Sequence, residues 1–336
     1  MTKTHTLILL CISWLLMAGC SGASSTGQAE GSGIPVIFDT DANNELDDHH
    51  ALAYLLLNQE TFDVAGVTVN ATYNGGEVER HYEEAVRIVQ LCDQLSEISV
   101  YQGANGNYPE IRPTLGNPGF DGADAVNFMI GESKKKRDTP LVILAVGKLT
   151  NVALALEQDP SMANRIRLVW LGSNYPDPGE YNQDNDTAAM NYLLNTDVPF
   201  EMVTVRYGLP SGTAAVTVTR KEVNTRMPGL GPVAAEAVTG RHGGTFHCFG
   251  DYSVSLFEHI DYHDDAQTRA LFDMAAVAIV KDPDWANSIT IPAPLLVNNS
   301  WVDRPSNSRQ IIVWENFRKD EILQDFFTTL EQATKR

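Results

Sequence analysis

The chain has 336 residues, 43 of them acidic against 24 basic, for a formal net charge of −19. That balance argues against nucleic acid or an anionic membrane surface as a partner. The length is enough for a large core in a single α/β domain, placed here at residues 34–336.

Residues 1–19 do not read as part of the fold. Lys3 supplies a positive start, residues 7–17 an apolar run, and Leu16-Met17-Ala18-Gly19-Cys20 a small-residue processing site. About a dozen apolar residues are too few to span a bilayer as a helix, which takes roughly 20. The stretch resembles a bacterial lipoprotein signal. This implies cleavage before Cys20, a lipid on its sulfur, a flexible Ser/Gly/Ala tether over residues 20–33 and membrane contact through that lipid alone. Ser21 after the Cys implies the outer membrane. An ordinary secretory signal with an incidental Cys would also place the chain outside the cytoplasm. Cys92 and Cys248 lack metal-type spacing and could form a disulfide or stay as inert buried thiols.

Beyond the tether, short β-branched runs alternate with helical patterns, the signature of βαβ units and a mostly parallel sheet. Strands are predicted at residues 35–38, 64–69, 98–101, 141–146, 167–171 and 200–205. Helices are predicted at 48–58, 77–95, 123–130, 151–158 and 187–195. After Tyr207 the pattern becomes mainly helical, with an apolar helix at 267–280, a strand at 310–314 and a terminal helix from Asp320. The basic run from Lys134 to Arg137 reads as an exposed helix end or loop.

The most informative stretch runs from Val36 to His50. An apolar strand enters it and an apolar helix leaves it, with Asp39, Asp41, Asp47 and Asp48 concentrated between. One or two of these Asp would suit a turn and a helix N-terminus. Four carboxylates in one turn repel one another unless a cation sits among them, so a hard divalent ion with oxygen ligands is the better reading. In open α/β sheets ligands lie beyond the carboxyl ends of the strands. The polar residues after the other strands form a consistent set there: Asn70, Thr72 and Asn74; Gly147-Lys148-Leu149-Thr150-Asn151; Asn174; and Glu180-Tyr181-Asn182. Asn and Glu suit hydroxyl-rich ligands such as a sugar.

Asp39-Thr40-Asp41 with Asp47-Asp48, together with Gly147 to Asn151, Leu171-Gly172-Ser173-Asn174, Glu180-Tyr181-Asn182 and Asp273, resembles the nucleoside hydrolases of the inosine-uridine-preferring superfamily. The resemblance spans residues 35–282. It implies a nucleoside-hydrolase-like, Rossmann-like fold: an open, mostly parallel central sheet flanked by helices, with a mainly helical C-terminal part. It implies Ca2+ held by Asp41, Asp48, Asp273 and the main-chain carbonyl of Val146, and Asp41 as general base toward the ion-held water. Asp47 would bind the ribose 2'-hydroxyl, Asn182 the 3'-hydroxyl, and Asn174 and Glu180 the 5'-hydroxyl. Asn74, with Asn70 as second candidate, matches the Asn after the second strand, and Asp39 supports the others. The turn at residues 42–46 is two residues longer than in the family and puts Asn43, Asn44 and Glu45 at the mouth of the site.

The match departs from the family at Phe272, where many members carry the His that protonates the leaving base. Losing a general acid costs roughly 10²- to 10⁴-fold. His242 and His247, in a Gly-rich segment, are candidates to replace it. His50 reads as a packing residue and His81 as a surface residue of an amphipathic helix. Trp170, Trp285 and Trp314 read as core.

The expected activity is hydrolysis of the N-glycosidic bond of ribonucleosides, in the cell envelope, for salvage, by a chain that could be a homo-oligomer. The competing readings are an envelope lipoprotein that binds ribosides without turnover and a haloacid-dehalogenase-like phosphatase, which needs neither Asp47-Asp48 nor Glu180-Tyr181-Asn182.

Overall fold

A computed structural model describes Met1, residues 33–262 and residues 264–335. The expected leader, the lipidation candidate Cys20 and the tether up to residue 32 lie outside the described residues.

Fourteen strands are found among the described residues. They are β1 (Ile34–Thr40), β2 (Phe62–Val69), β3 (Val100–Gln102), β4 (Leu141–Ala145), β5 (Ile166–Ser173), β6 (Phe200–Thr204), β7 (Thr217–Thr219), β8 (Val238–Thr239), β9 (Thr245–Phe246), β10 (Thr268–Ala270), β11 (Asn287–Pro292), β12 (Leu295–Val297), β13 (Ser300–Val302) and β14 (Gln310–Glu315). Eight form the central sheet in the order β11-β14-β6-β5-β4-β1-β2-β3. All neighbours are parallel except β11 and β14, the antiparallel edge. Helices cover both faces, so the central strands are buried on both sides and read as unbroken apolar runs. Val36, Ile37 and Phe38 are fully buried, as are all five residues of β4.

The strand order fixes where a site can form. Progression runs from β1 outward through β2 to β3, then resumes on the other flank of β1 with β4, β5 and β6. The crevice lies at that switch point, beyond the carboxyl ends of β1 and β4. Pairing of Asp39 with Ala145 across β1 and β4, and with Thr68 across β1 and β2, brings three chain segments to one level.

The Asp47–Leu57 helix follows β1 and is buried along its whole length. The apolar Phe272–Lys281 helix packs against it. This helix is shorter at its start than predicted: residues 268–270 instead pair with β7 as β10, because Leu271 and Phe272 turn the chain into the helix. Three small two-stranded sheets accompany the helices of the C-terminal part. The chain from Ser32 on forms one compact unit. No helix among the described residues is long and apolar enough to cross a membrane.

His81 is a correction to the surface reading. It lies on the inner face of the Val78–Leu91 helix with Ala85 and Ile88 and is fully buried. Its Nδ1 accepts from the Asn43 amide at 3.2 Å, which fastens the long turn after β1. His50 packs as expected, between Phe249 and Phe257, with Ser253 Oγ 2.7 Å from Nε2. Trp170 and Trp314 are buried. Cys92 and Cys248 are both free and buried.

Candidate active site

The site has a supporting floor made by Asp39. As the penultimate residue of β1, its carboxylate accepts from Thr68 Oγ1 at 2.6 Å, Asn151 Nδ2 at 2.8 Å and Asn70 Nδ2 at 3.1 Å. Burial pushes its pKa up to about 7, and these three donors work against that rise. Asn151 also accepts from the Ala104 amide, which ties the floor to the loop after β3. Gly147 follows from this crowding: a Cβ there would meet the Asn70 amide and Asp41 Oδ1 at about 3 Å.

Above the floor, Asp41, Asp47, Asp48, Asp273 and Glu180 converge on a cavity of about 290 Å³. The turn after β1 carries Asp41 away from the strand, and the helix it leads into presents Asp47 and Asp48 in its first turn, where the helix dipole favours them. The Phe272–Lys281 helix presents Asp273 in its own first turn from the opposite side. Carboxylate oxygens of Asp47, Asp48 and Asp273 lie within 4.8 Å of one another. All five acids are between 1 and 6 % exposed.

Few donors offset this charge. Thr72 Oγ1 donates to Asp41 at 2.5 Å and the Thr40 hydroxyl to Asp48. Burial lifts the pKa of Asp41 and Asp47, and lifts those of Asp48 and Asp273 further. After burial, the charges acting most strongly on Asp273 are Asp47, Asp48, Asp41 and Glu180, all negative. Glu180 is raised to about 8, again chiefly by burial. Burying even one uncompensated ion costs several kcal/mol, so this arrangement calls for a cation or a proton-rich ligand. Asn182 adds a neutral acceptor. Its Nδ2 donates to the carbonyls of Val146 at 2.7 Å and Leu171 at 3.2 Å, while its buried Oδ1 has no partner among the described residues.

The outer part of the cavity is lined by Asn44, Glu45, Asn74, Tyr181, Tyr207, Arg269 and Phe272. Tyr207 meets Phe272 edge to face, ring centroids 5.9 Å apart at 79°. Glu45 forms an ion pair with Arg269. Asn44 and Glu45 of the long turn therefore do face the cavity. Asn43 does not line it, and is held by His81, by the Gly75 carbonyl and by Arg241.

The structure thus gathers Asp41, Asp47, Asp48, Asn74, Val146, Glu180, Asn182, Phe272 and Asp273 around one cavity, with Asp39 beneath it. Three predicted residues stand elsewhere. Asn174 does not line the cavity: its amide caps the loop at Pro178 O and accepts from the Tyr207 N–H, so it positions Tyr207. His242 is exposed and stacks on His259, ring centroids 4.4 Å apart. His247 is also exposed, and its carbonyl accepts from the Ala234 amide. Neither His lines the cavity, because the Gly-rich segment pairs with itself as the β8–β9 hairpin instead of folding over the site. Tyr207 and Arg269 are lining residues that the sequence reading missed. Tyr207 carries a signal of its own, a polar aromatic just past β6, whereas Arg269 carries none.

The sequence model described as inosine-uridine preferring nucleoside hydrolase matches residues 36–322. An uncharacterized protein of Schizosaccharomyces pombe is 26% identical over 227 residues, 60% of this chain and 70% of that protein. Among solved structures, a plant nucleoside hydrolase superposes with a TM-score of 0.67 at 18% identity, covering 88% of this chain and 98% of its own. A purine-preferring ribonucleoside hydrolase from Gardnerella vaginalis gives 0.65 at 22% identity, covering 90% and 99%. These two likenesses carry the fold.

Proposed function

The chain belongs to the inosine-uridine preferring nucleoside hydrolase family and is an N-ribohydrolase; from that premise we propose that it cleaves ribonucleosides to base and ribose with Ca2+ as its metal. The observation that carries the reading is the convergence of five buried carboxylates and the unpartnered Asn182 Oδ1 on one cavity.

The donor set suits a hard cation, since every candidate atom is an oxygen and five buried carboxylates share a cavity lined by one cation, Arg269, among the described residues. Asp41, Asp48, Asp273 and the Val146 carbonyl would hold the ion, with Asp47 beside them toward the ribose 2'-hydroxyl. Bound there, Ca2+ would offset the carboxylate charge, anchor vicinal hydroxyls and acidify the attacking water. Asp41 then takes the water proton. Asn182 turns its free oxygen, and Glu180 its carboxylate, to the sugar hydroxyls. The negative field of the whole cluster stabilises positive charge developing at the anomeric carbon.

The leader-like residues 1–20 support a place in the cell envelope, where released base and ribose would feed salvage. A reducing-sugar assay across purine and pyrimidine ribonucleosides, with Ca2+ and then with chelator, tests the reaction. Ribose release that stops with chelator and returns with Ca2+ is expected. Thermal stabilisation by the same ribosides without any release would instead establish a binding protein. Asp41→Asn should lower kcat about 10²- to 10⁴-fold; near-native turnover would remove Asp41 as the base.

A further inference from the structure

The cavity is graded from a buried anionic end to a half-open end. Its acids are nearly inaccessible, whereas Tyr207 is 48 % exposed and the Glu45 side chain 45 %. A sugar suits the inner end, where Asp41, Asp47, Glu180 and Asn182 gather carboxylate and amide oxygens for its hydroxyls. The aglycone is left with the outer end, beside the Tyr207 and Phe272 rings, which meet edge to face. Among the described residues lining the cavity, Arg269 is the single cation. Its side chain is only 16 % exposed, it is ion-paired to Glu45, and its buried Nε has no hydrogen-bond partner among the described residues. A guanidinium on the cavity wall carries five N–H donors, more than one carboxylate can take, and so has capacity for an acceptor that arrives with the substrate.

Resting on the nucleoside hydrolase reading, we propose that Arg269 is the catalytic residue of the leaving group: it receives the departing base as an anion, and Glu45 is the positioning residue that aims it. In this step the bond from the anomeric carbon to the base nitrogen breaks, and its electron pair goes to the base. There it delocalises onto a ring carbonyl oxygen that accepts from the guanidinium. The water oxygen bonds to the anomeric carbon and one water proton passes to Asp41. The base anion takes a proton from solvent on release, and Asp41 returns its own to solvent. Arginine does not deprotonate in the working pH range, so the leaving group needs no titrating acid. The preferred substrates are therefore oxo-base ribonucleosides, whose bases carry charge on oxygen, over amino-base ones.

The test compares inosine and uridine with p-nitrophenyl β-riboside, whose phenolate departs without help, in the wild type, Arg269→Gln, Arg269→Lys and Glu45→Gln. Arg269→Gln should lose about 10²-fold in kcat/KM on the oxo-base nucleosides, and much less on the nitrophenyl riboside. Added guanidinium should restore part of the loss. Arg269→Lys should fall between, and Glu45→Gln should lower kcat with little change in KM. If Arg269 only pinned the long turn, both substrate types would fall together and guanidinium would restore neither. That result, or no loss at all, would overturn the proposal while leaving the hydrolase reading intact. A wild type that cleaves none of the three ribosides would overturn both.

Discussion

Asp39 and Asp273 are both carboxylates sealed from solvent, yet their surroundings are opposite. Asp39 sits among Thr68, Asn70 and Asn151, three donors from three chain segments. Asp273 sits among Asp47, Asp48, Asp41 and Glu180, four acids. The first arrangement is complete in the protein itself and serves to hold shape. The second is complete only when something positive joins it. Burial alone therefore does not mark a functional carboxylate; the sign of its neighbours does.

Neutralising each residue in turn should separate the two regions. Asp273→Asn should cut ion-dependent turnover by on the order of 10³-fold. In the ion-free protein it should raise Tm by a few degrees, since an acid that folding must either crowd as a charge or protonate is gone, and calorimetry in chelator would read the shift. Asp39→Ala should act in the reverse sense. It strands the Thr68 hydroxyl and the Asn70 amide and weakens Asn151, for a loss of about 2–5 kcal/mol in urea unfolding. Should Asp39→Ala leave stability unchanged, the contrast between the regions would collapse.

The pH dependence of ion-free stability gives a third comparison. Asp39, near 7, and Glu180, near 8, lie above their ordinary 3.8 and 4.5, so the folded chain keeps protons that the unfolded chain releases. Their stabilising contribution is complete below the unfolded values and is lost as pH rises through 7 to 8. His49 and His50, held neutral by burial, act oppositely, but only below their ordinary 6.5. Between pH 6.5 and 8 the carboxylates stand alone, and Tm in chelator should fall. Added Ca2+ should recover most at the upper end, and a Tm rising across that window would contradict the electrostatics. The smallest effect expected is from Phe272→His, which adds a titrating acid at the aglycone end. Purine nucleoside turnover should rise about tenfold at mildly acidic pH and much less at alkaline pH.

Seven of the eight central strands were readable because parallel strands buried on both faces leave continuous apolar runs, as in β4, whereas the exposed antiparallel edge strand β11 and the two- and three-residue strands of the small sheets leave no such run. The acids of the site were readable because four Asp around one strand-to-helix turn have no economical explanation without a ligand. What failed in each case was a question of partners. His81 reads as surface by its polarity, although it shares the helical spacing of Ala85 and Ile88. Asn174 has the right residue type and neighbourhood, but its amide serves Pro178 and Tyr207. His242 and His247 have suitable chemistry on a segment that pairs with itself. Arg269 was invisible, since its meaning comes from Glu45, which lies near the other end of the chain. Patterns along a sequence report what a residue is next to in the chain and are silent on distant partners.

The cavity is assembled from segments far apart in the chain. Asp41 and Asp48 flank the start of the first helix, and Asp273 arrives with the Phe272–Lys281 helix that packs on it after most of the sheet strands have been laid down. A chain emerging N-terminus first would carry its early carboxylates hydrated and mutually harmless. Repulsion among them grows only as that late helix docks, a contact of long sequence separation and hence intrinsically slow to form. Docking of that helix is thus a step the protein opposes electrostatically, and a divalent cation in the surroundings would ease maturation of the newly made chain before it took part in any turnover.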